Sequence, residues 1–147
     1  MGKDFKVVPH KVNESGSSSK EVGDIDVFDS EGTLVNAIEV KDKTFSVQDV
    51  LHAISKFRQA NLTSSLFVYG KNVSFDEDEV YNALKSIGRE GHYCCLISIL
   101  NYAKLRISDL KTVTVRDFVD GLLKFSQIIN AKDDTISTIK EIASQIF

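Results

Sequence analysis

Four ionisable side chains stand where a plain β-hairpin would keep its charge low. In "GDIDVFDSEGTLVNAIEVKDK", Gly23 to Lys43, they are Asp24, Asp26, Glu39 and Lys41. Side chains alternate across a strand with period two. Asp24 and Asp26 therefore share one face, and Ile25 and Val27 the other. Glu39 and Lys41 share a face on the returning strand, opposite Ile38 and Val40. If both apolar sets face the core, the carboxylates gather with the ammonium on one patch.

Clustered carboxylates repel unless something positive sits among them. That repulsion predicts that removing one of them raises stability. Mg²⁺ suits such a patch, because it takes oxygen ligands and commonly uses one or two carboxylates, water and phosphate oxygens. It would polarise a phosphoryl group, and a neighbouring lysine would stabilise the developing charge or help orient or deprotonate the attacking water. The set has the composition of a phosphodiester-hydrolysing site. Alternation alone leaves a second reading open, a solvated hairpin face whose charges are cross-strand pairs.

The elements that would position these residues are legible in outline. Val22–Phe28 alternate as a strand, "DSEG" is a turn with Gly32 suited to positive φ, and Leu34–Lys41 return. Ser46 is an N-cap, after which Val47, Val50, Leu51, Ile54 and Phe57 recur at helical spacing. Ser65–Tyr69 is a short apolar strand. Ser74 with Glu77 forms a capping box for a second helix bearing Val80, Leu84 and Ile87. "YCCLISIL", Tyr93–Leu100, reads as a buried strand or a buried helix. Thr114 caps a helix that turns Val115, Phe118, Val119, Leu122 and Ile129 inward, and Asp133–Thr135 start a last one. The domain expectation is a single nuclease-like unit over 1–147: a polar segment to residue 21, a catalytic core over 22–70, and a helical and strand part over 71–147.

The 147 residues suffice for about one domain, and 42% hydrophobic with 27% charged residues is ordinary globular composition. No apolar run approaches the roughly 20 residues a membrane span requires, and "MGKDFKVVPH" lacks a signal-peptide core. A cytoplasmic protein is expected. The net charge of −3 weakens nucleic-acid binding as a reading but permits a local basic patch. Cys94 and Cys95, the only cysteines, lack zinc-site spacing and read as small apolar residues of a strand.

"GDIDVF…AIEVKDK" resembles the PD-(D/E)xK nuclease motif, an acidic residue on one core strand and Glu-x-Lys on the next, then a helix and a strand. Asp26, Glu39 and Lys41 fit it, with twelve residues between the first two. More narrowly, "PHKVNESGSSSKEVGDIDVF" with "AIEVKDKTFSVQDV" is similar to type II restriction endonucleases of the SacI kind. The resemblance covers about Glu14 to Gly70. It implies an α/β fold, a central mixed β-sheet flanked by helices with a restriction-endonuclease-like core. It implies Mg²⁺ held by Asp26, Glu39 and Asp24, double-stranded DNA as substrate and a homodimer for two-strand cleavage. No proline precedes the first carboxylate, and either Asp24 or Asp26 fits that position; Asp26 is preferred because Val27 and Phe28 follow it. The family core begins with a helix, whereas about twenty Ser-rich residues precede Val22, so the chain is expected to be the C-terminal portion of a longer enzyme.

Glu14 stands where the family often supplies an additional acid. Ser17, Ser18, Ser19 and Lys20 are candidate phosphate contacts. Gln48 sits one turn into the helix after the active-site strand and, with His52, Ser55 and Gln59, forms its polar stripe. Lys43 and Lys56 are candidate backbone contacts. "FDEDE", Phe75–Glu79, has a metal-binding look, but acids at a helix start complement the macrodipole, and Tyr69 and Tyr93 read as packing residues. Type II restriction is the leading function. A repair or junction-resolving nuclease and a catalytically silent DNA-binding module are the alternatives.

Overall fold

The hairpin turns at Gly32, whose φ of +82° is open to a residue without a Cβ. Asp29 closes the turn by accepting the amides of Glu31 and Thr33. The computed structural model describes residues 5–10, 21–109, 114–128 and 130–146. Along the chain these form β1 (Lys6–Pro9), β2 (Ile25–Phe28), β3 (Leu34–Lys41), α1 (Val47–Gln59), β4 (Ser64–Tyr69), α2 (Glu77–Arg89), β5 (Tyr93–Ser98), α3 (Ile99–Asp109), α4 (Val115–Ile128) and α5 (Asp133–Ile146). The fold is α/β, with one mixed sheet in the order β1-β2-β3-β4-β5. β1, β2 and β3 run antiparallel, and β3, β4 and β5 run parallel.

Parallel neighbours need a crossover. α1 and α2 supply the two crossovers and lie over one face of the sheet. That face holds the core, where Ala37, Phe67 and Cys94 from three strands meet Val50, Ile54 and Phe57 of α1 and Val80 and Ile87 of α2. Ala37 and Glu39 are two residues apart on β3, so the charged set faces the same side as the core. This reverses the expected arrangement. Ile38 is buried, Ile25 and Val27 are only partly so, and Val40 is 41% exposed. With Phe5, Val7, Leu66 and Val68 they line an open apolar hollow of about 700 Å³ on the other face, closed on one side by Ile99 and Tyr102 of α3. The crossover helices decide the outcome: they cover the carboxylate face, and a hairpin considered alone cannot reveal which face they choose.

Several element boundaries differ from the sequence expectation for local reasons. β2 begins at Ile25 because the Val22 and Gly23 amides turn to the Asp26 carboxylate. The α2 cap is Asp76, which accepts the Glu79 amide at 2.9 Å, while Ser74 instead meets the Thr44 hydroxyl. "YCCLIS" is a strand, but Ser98 accepts the Asn101 amide and starts α3. Thr114 does cap α4 reciprocally with Asp117. Phe118 and Leu122 are exposed rather than inward, because α4 packs against α5 instead of the sheet. Ile129 lies outside the described residues. Tyr69 packs on Phe45 and Phe75, whereas Tyr93 is 67% exposed.

A buried Ser65–His92 pair is structural. The Leu62 carbonyl, 2.9 Å from Nδ1, makes that nitrogen the donor, so Nε2 accepts the Ser65 hydroxyl. The pair ties the start of β4 to the loop before β5.

Gly23 sits against β3 so closely that a Cβ would lie 2.7 Å from the Ile38 carbonyl oxygen and 3.0 Å from its nitrogen. Backbone cannot yield as a flexible side chain can. Gly23→Ala is therefore expected to lower stability by about 1–3 kcal/mol, the usual cost of forcing extra volume into a packed site. A thermal melt checks this; an unchanged midpoint would mean that the two strands part easily here.

Candidate active site

The charged set gathers where β2 and β3 leave the core and α1 begins. In open α/β sheets this region, beyond the carboxyl ends of parallel strands, is where ligands bind. The register places Asp26 opposite Ala37 and Ile25 opposite Ile38. Asp26 and Glu39 thus lie diagonally on one face, as the alternation predicted. The face is not a wet one: Asp26 is fully buried and Glu39 is 7% exposed.

Each carboxylate is held differently. Asp26 accepts the Gly23 amide on Oδ1 at 3.0 Å and the Val22 amide on Oδ2 at 3.2 Å. His10 Nε2 lies 2.9 Å from Oδ2, and its Nδ1 is 3.4 Å from Glu21. An ionised carboxylate offers about four lone-pair sites, and these three bonds leave room on Oδ1. Glu39 Oε1 bonds Lys41 Nζ at 3.0 Å. Its Oε2 is buried without a hydrogen-bond partner and has Lys56 Nζ 3.5 Å away. Asp24 accepts the Val40 amide at 2.7 Å and ties the diverging strands.

The electrostatics follow from this packing. Burial pushes the Asp24 carboxyl above the usual range; the Val40 amide pulls it down, Glu39 pushes it up, and Lys41 and Lys56 draw it back. For Lys41, burial works against the ammonium, but the bond to Glu39 and the charges of Glu39, Asp24 and Asp49 outweigh it, and the pKa rises. Lys41 is therefore a firmly protonated ammonium near neutral pH. Asp49 lies at the start of α1, where it accepts the Ser46 amide and hydroxyl.

Asp24, Glu39 and Lys41 thus lie within electrostatic reach of one another, and Asp26 shares the face of Glu39. Gln48, Lys43 and His52 are exposed on or just before α1. Glu14, Ser17, Ser18, Ser19 and Lys20 lie outside the described residues. The sequence reading missed His10, because β1 is only four residues long and ends at a proline; its short β-branched "KVV" run was the available signal. It also missed that Lys56 reaches Glu39, which only the crossover of α1 reveals.

The donor set fits a hard divalent cation. Glu39 presents a buried oxygen that no hydrogen bond satisfies, and Asp26 is fixed on the same face. Among the described residues no three His, Cys, Asp or Glu side chains form a ready-made metal cluster. Mg²⁺ does not need one, since water and phosphate oxygens commonly complete its shell.

No helix among the described residues is long and apolar enough to cross a membrane. The chain matches no curated protein. A family model does match it, that of the SacI restriction endonuclease C-terminal domain, over residues 1–71. That stretch contains every member of the charged cluster, from His10 to Lys56, and is what this chain shares in similarity with the SacI restriction endonuclease C-terminal domain.

Proposed function

We propose that this protein is a Mg²⁺-dependent type II restriction endonuclease that hydrolyses phosphodiester bonds of double-stranded DNA as a cytoplasmic homodimer. The observation that carries this reading is Glu39, a buried carboxylate with one unsatisfied oxygen, bonded to Lys41 and sharing a face with Asp26 inside the matched segment.

Asp26 and Glu39 would hold the cation, with Asp24 beside them. When bound, Mg²⁺ supplies Lewis-acid polarisation of the phosphoryl group and eases ionisation of the attacking water. The two backbone amides and His10 fix the Asp26 carboxylate, so little reorganisation is needed when DNA arrives. Lys41, held as an ammonium by Glu39, stabilises the negative charge that grows on the phosphoryl oxygens. Its raised pKa favours this electrostatic role over proton abstraction. Gln48 and Lys43, exposed at the start of α1 and in the loop before it, would contact DNA, and Ser18, Ser19 and Lys20 would add phosphate contacts.

Digestion of supercoiled plasmid with Mg²⁺ is the test. Discrete fragments with fixed ends, lost on chelation, are expected. A smear or cutting confined to branched substrates would replace restriction with a repair or junction-resolving role, and intact plasmid at every divalent ion tried would overturn the nuclease reading.

A further inference from the structure

We propose that Lys56 is a second active-site ammonium, which neutralises Glu39 in the metal-free chain and grips a phosphate oxygen of bound DNA next to Lys41. This rests on the nuclease reading of the same site. Lys56 comes from α1, where its neighbours Ala53 and Phe57 are packed into the core, so its backbone is rigidly placed. Its Nζ stands 3.5 Å from Glu39 Oε2, an ion-pair distance, and that oxygen has no hydrogen-bond partner. Lys41 takes the other oxygen at 3.0 Å. The two ammonium groups bracket one carboxylate.

The two contacts differ in what they can give up. The Lys41 bond is short and Lys41 is the more enclosed; Lys56 is 39% exposed in its side chain and holds Glu39 only by charge. A divalent cation among the carboxylates competes for the oxygen that Lys56 faces. Like charges repel, and the flexible four-carbon stem lets the ammonium swing outward. A phosphate sharing a bound metal would offer non-bridging oxygens that an ammonium binds as a point charge. Lys56 thus exchanges an internal carboxylate for a DNA phosphate as the site loads.

The test compares wild type, Lys56→Ala, Lys56→Gln, Lys56→Arg and a control, Lys85→Ala, on the exposed face of α2. Glutamine keeps the long stem should alanine disturb folding. Binding of a duplex DNA fragment is measured across a salt series at a fixed concentration of Ca²⁺, an oxygen-seeking cation used in place of Mg²⁺ to load the carboxylates. Loss of one phosphate contact is expected to lower the slope of log affinity against log salt by about 0.9, for both neutral variants, with arginine restoring it and the control unchanged. Single-turnover plasmid cleavage with Mg²⁺ should also slow on the order of tenfold, less than for an enclosed donor because Lys56 is partly exposed. A merely structural partner of Glu39 would change the melting temperature and leave the salt slope alone. An unchanged slope in both neutral variants overturns the proposal. If the wild type does not cut DNA, the nuclease reading fails, and the salt slope still decides whether Lys56 touches phosphate.

Discussion

Glu39→Ala and Asp26→Asn are each expected to reduce Mg²⁺-dependent cleavage by about a hundredfold or more. The cation's share of transition-state stabilisation is several kcal/mol, and each 1.4 kcal/mol is about tenfold in rate. Their effects on stability should part company. Glu39 has two lysine partners, both able to turn toward water, and its own Oε2 is buried without a hydrogen bond. Removing it strands no neutral donor and ends the burial of a charge, so the fold should survive with little loss. Asp26 satisfies two backbone amides and an imidazole in full burial. Asp26→Ala would leave those donors unmatched, at about 1–3 kcal/mol each. The like-charge repulsion read from the sequence predicted a gain in stability here, and the bonds to Asp26 reverse that expectation. Asparagine keeps one acceptor oxygen, so it separates chemistry from folding. Cleavage rates and thermal melts of the three variants check both halves; wild-type cleavage by Glu39→Ala or Asp26→Asn would sink the assignment.

The local parts of this site were legible because local chemistry fixes them. Alternation put Asp26 and Glu39 on one face, Gly32 marked the turn, and Ser46 marked the start of α1. What stayed hidden depends on long-range packing. Nothing in "AIEVK" says whether Ile38 or Glu39 faces the helices, since both faces of β3 carry apolar residues and both are partly covered. The crossover of α1 settles it, and it also brings Lys56 to Glu39 across seventeen positions of sequence. His10 reaches Asp26 through β1, a four-residue edge strand too short for a periodic signal.

A carboxylate on the core side of a sheet is costly unless something compensates it. Here compensation is shared unevenly. Asp26 is compensated by neutral amides and His10, and Glu39 by two ammonium groups. The first arrangement is fixed by backbone; the second rests on long flexible side chains. The Glu39 side of the site is therefore the part that can rearrange when a cation and a phosphate arrive, while the Asp26 side stays as built.

Lys41→Ala is expected to bind DNA nearly as well as wild type yet cleave it about a hundredfold more slowly. The ammonium lies two residues after Glu39 and on the same face, bonded to it at 3.0 Å. Negative charge grows beside it only as water attacks phosphorus, so its loss falls on the transition state more than on the ground-state complex. Removing one preorganised donor of developing charge commonly costs about 10²–10³ in rate. Lys41→Arg keeps the charge, but a planar fork cannot take the place of a compact ammonium beside a buried carboxylate, and cleavage should recover little. The raised pKa of Lys41 adds a second expectation: the wild-type rate should show no fall attributable to lysine deprotonation between neutral pH and the ordinary lysine range, because Glu39, Asp24 and Asp49 outweigh burial in keeping the proton on. DNA binding and single-turnover cleavage of the three proteins at one stated salt concentration, repeated across pH, decide the matter. Wild-type cleavage by Lys41→Ala would reduce Lys41 to a partner of Glu39 and pass the phosphate-facing role to Lys56 alone.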